Sequence, residues 1–189
     1  MEEILDLYAE PGDRQEPVVC VDERPYQLIA DAVPPLPVRP GVPKREDYTY
    51  QRRGVCHLWI VLCPRQGWRA VEVTRQRTKA DFARLLKRLA DEWFPQARVI
   101  HLVMDNLNIH RLSSLYTVFS PEEARRLARR FRVHLTPVHA SWLNMAELEI
   151  SALERQCLDR RIGNMEVLAR EVAAWVRERN ERQVQVHWR

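Results

Sequence analysis

Three carboxylates sit where this chain can bring them together: Asp22, Asp105 and Glu147. Residues 99–104 (VIHLVM) read as a short buried strand that finishes on Asp105 in an Asn-rich loop, MDNLNIH (104–110). Residues 17–21 (PVVCV) read as a second apolar strand, finishing on Asp22 and Glu23. A carboxylate at the exit of a buried strand is costly unless something binds it. Side by side in one sheet, the two strands put Asp22 and Asp105 at one edge, separated by about the 4.8 Å spacing between strands. The third acid comes from SWLNMAELE (141–149), which follows a further short strand at 133–138 and opens a long helical pattern with Glu147 in its first turn. Two aspartates on strand ends and a glutamate at a helix start make a compact set of hard oxygen ligands suited to Mg²⁺ or Mn²⁺.

Each acid also has a plainer reading. Asp22 alone reads as a strand-end residue capping a turn, and only its pairing with Asp105 makes it a ligand. Glu23 is adjacent to Asp22 and so points to the opposite side of the strand, which makes it a poorer ligand. Asn144 and Glu147 match a capping box, with Asn144 at the N-cap and Glu147 at N3. Glu149 lies about 200° around the helix from Glu147, at about 100° per residue. The stripe Ala146, Ile150, Leu153 and Cys157 falls between the two, so periodicity does not choose.

The elements that must position these acids are legible along the chain. At 189 residues it is long enough for one domain with its own core, and a composition 46% apolar and 30% charged fits a globular protein. No apolar run approaches a membrane span, and the opening MEEILDLYAE lacks the form of a signal peptide, so the expected location is the cytoplasm. Cys20, Cys56, Cys63 and Cys157 show no metal-like spacing and are expected to be reduced core residues. A net charge of +4 and a pI near 9.1 permit a nucleic-acid partner without demonstrating one.

A short helix is expected over residues 1–10, with Ile4, Leu5 and Tyr8 inward, ended by Pro11 and Gly12. After Asp22, residues 24–53 read as a long connection. Prolines 34, 37, 40 and 43 give it a three-residue repeat that favours polyproline II, either as a stiffened loop over the sheet edge or as a ligand for a partner module. Residues 54–63 and 68–74 form a hairpin beside the Asp22 strand. Thr78 and Asp81 cap a helix with Phe82, Leu85, Leu86, Leu89 and Trp93 on one face, stopped by Pro95. Ser120, Pro121, Glu122 and Glu123 start another helix. Its basic end, Arg125, Arg126, Arg129, Arg130 and Arg132, reads as a solvated face near a helix C-terminus or as a phosphate-contacting surface. Asn164 begins a last helix carrying Met165, Leu168, Val172, Trp175 and Val176 to about Asn180. The order is βββαβαβαα, with the first, fourth and fifth strands parallel.

Taken in order, VDE (21–23), MDNLNIH and SWLNMAELE resemble the catalytic domain of mariner-like bacterial insertion-sequence transposases, in the DDE transposase and integrase superfamily. That family carries Asp-Glu on its first strand, Asp-Asn-x-x-x-His on its fourth, and Ser-Pro-x-Leu-Asn-Pro-x-Glu opening the following helix. Here the third motif stands at residues 141–147 without its prolines. The likeness runs from MEEILDLYAE through Arg179 and Asn180 to Trp188 and Arg189. It implies an α/β fold, a ribonuclease-H-like mixed five-stranded sheet flanked by helices with the first and fourth strands adjacent. It divides the chain into an N-terminal helix and linker remnant (1–16), a catalytic domain (17–182) and a clipped C-terminal tail (183–189).

The resemblance also selects Glu147 over Glu149, making Asp22, Asp105 and Glu147 both catalytic residues and metal ligands. It implies two Mg²⁺ ions about 3.5–4 Å apart, with Mn²⁺ able to substitute and Asp22 bridging them. The implied activity is DNA strand cleavage at element ends and strand transfer into target DNA. Asn106, His110 and Asn144 become supporting or DNA-contacting residues, with His139 a weaker candidate. Trp142 either packs under the helix start or stacks on a base, and Arg125 and Arg129 contact phosphate. The implied partners are double-stranded DNA, bearing terminal inverted repeats or serving as target, and a second copy of the chain. No membrane is involved, and bound to DNA the protein would associate with the nucleoid. Relatives carry a helix-turn-helix reader ahead of this segment and none precedes Met1, so a separate helix-turn-helix chain is a further expected partner. Two other readings stay open: a different ribonuclease-H-like nuclease acting on RNA:DNA hybrids or junctions, and a truncated, inactive remnant that only binds DNA or protein.

Overall fold

A computed structural model describes residues 1–34, 36, 40–41, 47–107 and 110–186. Its centre is a five-stranded sheet in the order β3-β2-β1-β4-β5, formed by β1 (Val18–Asp31), β2 (Tyr50–Cys63), β3 (Trp68–Thr74), β4 (Ile100–Met104) and β5 (Phe131–Leu135). The first three strands are antiparallel neighbours, and β4 and β5 run parallel to β1. A tight 3-10 turn at Pro64–Gln66 joins β2 to β3 and closes on Gly67 at φ +60°. A side chain there would start 2.6 Å from the Gln183 carbonyl oxygen, so only glycine fits. Parallel strands need crossovers, and these are supplied by α2 (Lys79–Arg88) with its π turn at Leu89–Trp93, and by α3 (Pro121–Ala128).

Alternation along the strands sorts the core into two layers. Val19, Val21, Trp59, Val61, Leu102 and Met104 face Phe82, Leu85 and Leu86 of α2 and Ala124 and Leu127 of α3. Cys20, Leu58, Ile60, Leu62 and Val103 face the other way. They are covered by α1 (Glu2–Ala9), α4 (Ala146–Leu153) and α5 (Met165–Glu181), which bury Ile4, Leu7, Ile150, Leu153, Leu168, Val172 and Trp175. Each large aliphatic side chain removed from water contributes roughly 1.5–3 kcal/mol. The expected caps are present. Thr78 and Asp81 bond each other's backbone N–H at 3.2 and 3.0 Å, Ser120 accepts from Glu123, and Asn164 accepts from Glu166 and Val167. All four cysteines are free and buried. Among the described residues no helix is long and apolar enough to cross a membrane.

The expected connection over residues 24–53 is corrected. β1 runs on to Asp31 and β2 begins at Tyr50, so strand occupies both ends of that stretch. The extension is held by pairing with β2 as far as Asp31 opposite Tyr50, with a register shift between Gln27 and Ile29. It is also held by Leu28 in the core and by the Ile29 N–H donating to the Ile162 carbonyl at 3.0 Å. Asp22 is therefore inside a strand, not at its end. The parallel neighbour stops first: β4 pairs only with Val18, Val19 and Cys20. Beyond Cys20, β1 loses its partner on that side while keeping β2 on the other, which opens the edge where Asp22 lies. β5 likewise ends at Leu135 rather than at residue 138. Of the proline repeat, Pro37 and Pro43 lie outside the described residues, as do Asn108, Ile109 and residues 187–189.

Candidate active site

The parallel register pairs Val18 with His101, Val19 with Leu102 and Cys20 with Val103. Continued two residues, it sets Asp22 beside Asp105. Asp22 shares its face of β1 with Cys20, toward α4. Burial pushes its carboxyl up, against the opposing pull of the Glu23 N–H, which donates to Oδ1 at 2.8 Å. The charges of Asp105, Glu23 and Glu147 push it up further, to about 7. The carboxyl is thus short of compensation for its charge, and both other candidate acids are among the groups that make it so.

Glu147 reaches this neighbourhood through the loop that precedes α4. Ser141–Leu143 form a 3-10 turn, and Asn144 follows, 1% exposed. The Asn144 side-chain amide donates to the Val21 carbonyl at 2.9 Å, and its Oδ1 accepts from the Ala146 N–H at 3.2 Å. Asn144 therefore ties the helix start to β1 one residue before Asp22. The capping box expected with Glu147 does not form, because Met145 occupies the N-cap and the Asn144 oxygen is already taken by Ala146. From α1, the Tyr8 hydroxyl donates to the Leu143 carbonyl at 2.9 Å and lies 3.2 Å from Cys20 Sγ. Burial drives that phenol far above its ordinary range and the Cys20 thiol to about 12, so both stay neutral.

Packing separates the two helix acids that periodicity leaves equal. Glu149 is 1% exposed; its carboxylate forms an ion pair with Arg69, whose Nε lies 2.8 Å away, and accepts a hydrogen bond from Arg179 Nε at 2.9 Å. Buried charges need such partners. The Glu147 carboxylate is half-buried and, among the described residues, makes no hydrogen bond or ion pair.

Asp105 is held from the opposite face of the sheet. Its carboxylate is hydrogen-bonded to His110 Nδ1, and His110 Nε2 lies 2.9 Å from Glu23 Oε2, which in turn pairs with Arg77. The imidazole is buried beside the rings of Trp59 and Phe82, with centroids 5.9 and 5.1 Å away. Burial lowers its proton affinity, but the hydrogen bond to Asp105 and the adjacent Glu23 carboxylate outweigh that and raise its pKa to about 9. The structure brings Asp22, Asp105, Glu147, His110 and Asn144 into one region. Among the described residues, no three of His, Cys, Asp and Glu stand close enough to form a ligand shell as they are.

Other expected residues are exposed. Trp142 is 49% exposed, which corrects its reading as core under the helix start. The turn points it outward, and Leu143 fills the buried position. Asn106 is exposed on the loop after β4, and His139 is exposed in the turn after β5, at φ +64°. Arg125 in α3 and Arg129 at its C-cap are exposed where the chain returns toward the start of β4, at which the Ile100 N–H meets the Arg130 carbonyl at 2.7 Å. Asp105 lies beyond the other end of β4, roughly 16 Å away at 3.3 Å per residue. The structure does not bring these two arginines to the acids. Glu23, Arg77 and Tyr8 are contacts missed in the sequence. Strand alternation was the available signal for Glu23, since it puts an acid on a face lined by Trp59 and Phe82, where it must find a partner.

The model of the DDE superfamily endonuclease family matches residues 17–169. Among solved structures, the Mos1 mariner paired end complex with Mn matches with TM-score 0.62 at 16% identity, over 96% of this chain and 55% of that one. The Mos1 strand transfer complex matches with TM-score 0.61 at 16% identity, over 96% and 56%. A pre-cleavage Mos1 transpososome matches with TM-score 0.59 at 15% identity, over 100% and 61%. At these identities the likeness is one of fold, and the chain spans little more than half the length of the structures it matches. No curated protein matches it. The five-stranded mixed sheet is the ribonuclease-H-like sheet of those proteins, and the family match runs through both strand acids and the helix glutamate: the chain belongs to the DDE superfamily endonucleases.

Proposed function

We propose that residues 17–182 are the catalytic domain of a DNA transposase that cleaves DNA strands at element ends and joins the freed 3′ ends to target DNA. Asp22, Asp105 and Glu147 are its catalytic acids, and they hold two Mg²⁺ ions, for which Mn²⁺ can substitute. The observation that carries this reading is geometric: the β1–β4 register sets Asp22 beside Asp105, and Asn144 ties the start of α4, which bears Glu147, to β1 one residue before Asp22. Family membership and the fold shared with Mos1 complexes described as containing Mn and Mg support it.

The residues fit a hard divalent cation. The donors are all carboxylate oxygens, Glu147 has no competing partner among the described residues, and Asp22 lacks compensation for its charge. Bound there, such ions act as Lewis acids that activate an attacking oxygen and stabilise the leaving 3′ oxygen. The chain's own part is placement. Asp22 would present its carboxylate from a fixed place within β1. Asp105 keeps one orientation because His110 grips it. Glu147 is brought over β1 by Asn144. The same reading assigns terminal inverted repeats and target duplex as substrates and a second copy as partner. It places a helix-turn-helix reader in the same polypeptide or in a separate chain, and the site of action at the nucleoid.

The test is Mg²⁺-dependent nicking of duplex DNA bearing the element ends. Asp22→Asn, Asp105→Asn and Glu147→Gln should each abolish nicking while the fold is retained. Near-normal cutting by any one of them removes that residue from the site. Preference for a labelled RNA:DNA hybrid over end-bearing duplex would replace the transposase reading with that of a hybrid nuclease.

A further inference from the structure

We propose that Glu23 is a positioning residue for Asp105, acting through His110, so that the adjacent acids of β1 serve one site from opposite faces of the sheet. The inference rests on the reading in which Asp105 holds a cation. Glu23 points away from Asp22, into the layer formed by Trp59 and Phe82, and its side chain is 3% exposed. An acid there is costly unless charge and hydrogen bonds meet it. Arg77 from the loop before α2 pairs with it, and His110 Nε2 is packed 2.9 Å from its Oε2, a close contact outside hydrogen-bond alignment.

His110 has no exposed side-chain surface, and its ring is confined by Trp59 and Phe82. With Nε2 facing Glu23, Nδ1 faces Asp105 and bonds its carboxylate. Asp105 follows the last residue of β4, so the sheet ladder does not orient it, and His110 is its one hydrogen-bonded hold among the described residues. One carboxylate oxygen is engaged there and the other is left for a cation. Removing Glu23 frees the far end of the imidazole and so loosens Asp105, without touching the site face of β1. Outer partners of this kind are worth roughly 10–100-fold in metal affinity.

The experiment measures Mn²⁺ binding to the metal-free chain, by the electron paramagnetic resonance signal of free Mn²⁺. It compares wild type with Glu23→Ala, the shape-preserving Glu23→Gln, His110→Ala and the Glu23→Ala/His110→Ala pair, and melting midpoints are recorded alongside. Glu23→Ala and His110→Ala are each expected to weaken Mn²⁺ binding about 10–100-fold. Glu23→Gln should weaken it in the same direction, and the double variant no more than His110→Ala alone, because the two act in series. A purely structural Glu23 would lower the midpoint, leave Mn²⁺ affinity alone and add independently to His110→Ala. If Glu23→Ala fails to fold, Glu23→Gln decides. Wild-type affinity in the Glu23 variants, with Asp22→Asn unable to bind, overturns this inference and spares the proposed function. Wild type that binds no Mn²⁺ overturns both.

Discussion

Replacing Asp22 by Asn should make the metal-free protein more stable at neutral and alkaline pH. Burial and the neighbouring acids push the folded carboxyl up to about 7, from an ordinary aspartate value near 3.8. Because the folded form binds its proton more tightly, Asp22 does not penalise folding below about pH 4. Stability is then lost progressively as pH rises through 7 and the buried carboxyl must ionise. At about 1.36 kcal/mol per unit the full cost approaches 4 kcal/mol, and residual solvent contact lowers it toward about 2. Asn keeps an oxygen for the Glu23 N–H and carries no charge. In EDTA at pH 8, Asp22→Asn should therefore melt about 5–15 °C above wild type, at about 2–4 °C per kcal/mol for a chain of this size. The gap should close as pH falls toward 4. Mg²⁺ should raise the wild-type midpoint and leave that of the variant nearly unmoved. The assay is thermal unfolding followed by circular dichroism from pH 4 to 9, with and without metal. An Asp22→Asn midpoint equal to or below wild type at pH 8, or a gap that does not change with pH, refutes the reasoning that Asp22 is a frustrated charge awaiting a cation.

Asn144→Ala removes the donor to the Val21 carbonyl and the acceptor for the Ala146 N–H. It should cost about 1–3 kcal/mol in urea unfolding and lower nicking by displacing Glu147. Glu149→Ala leaves Arg69 charged and buried without its carboxylate and should cost about 3–5 kcal/mol, whereas Glu147→Gln should stay within about 0.5 kcal/mol of wild type while losing nicking. Equal destabilisation by the two would dissolve the distinction between them. The four buried thiols should resist alkylation in the folded protein and react in urea, with rapid labelling of native Cys20 counting against its placement beneath α1.

The elements with strong local signals are those the sequence makes legible: the Thr78, Ser120 and Asn164 caps, the hairpin around Gly67 and the all-apolar β4. The second half of β1 is not among them. Arg24, Pro25 and Gln27 look like loop residues, and only pairing with β2 across a bulge keeps them in a strand. That tertiary contact changes the meaning of Asp22, from a strand end to a position where one neighbour departs. At the site, alternation alone set Glu23 and Asp22 on opposite faces. The choice between Glu147 and Glu149 could not come from periodicity, because it depends on Arg69 in β3 and Arg179 in α5, both remote in sequence. Asn144 was legible as a helix-start residue but not as a clamp on β1, for the same reason.

Crystals grown with Mn²⁺ and measured for its anomalous scattering would settle where the cation goes. Peaks bonded to carboxylate oxygens of Asp22, Asp105 and Glu147, with Glu149 still paired to Arg69, are predicted. Mn²⁺ bound elsewhere, or these three acids remaining apart at saturating Mn²⁺, would contradict a shared cation site and with it the proposed chemistry.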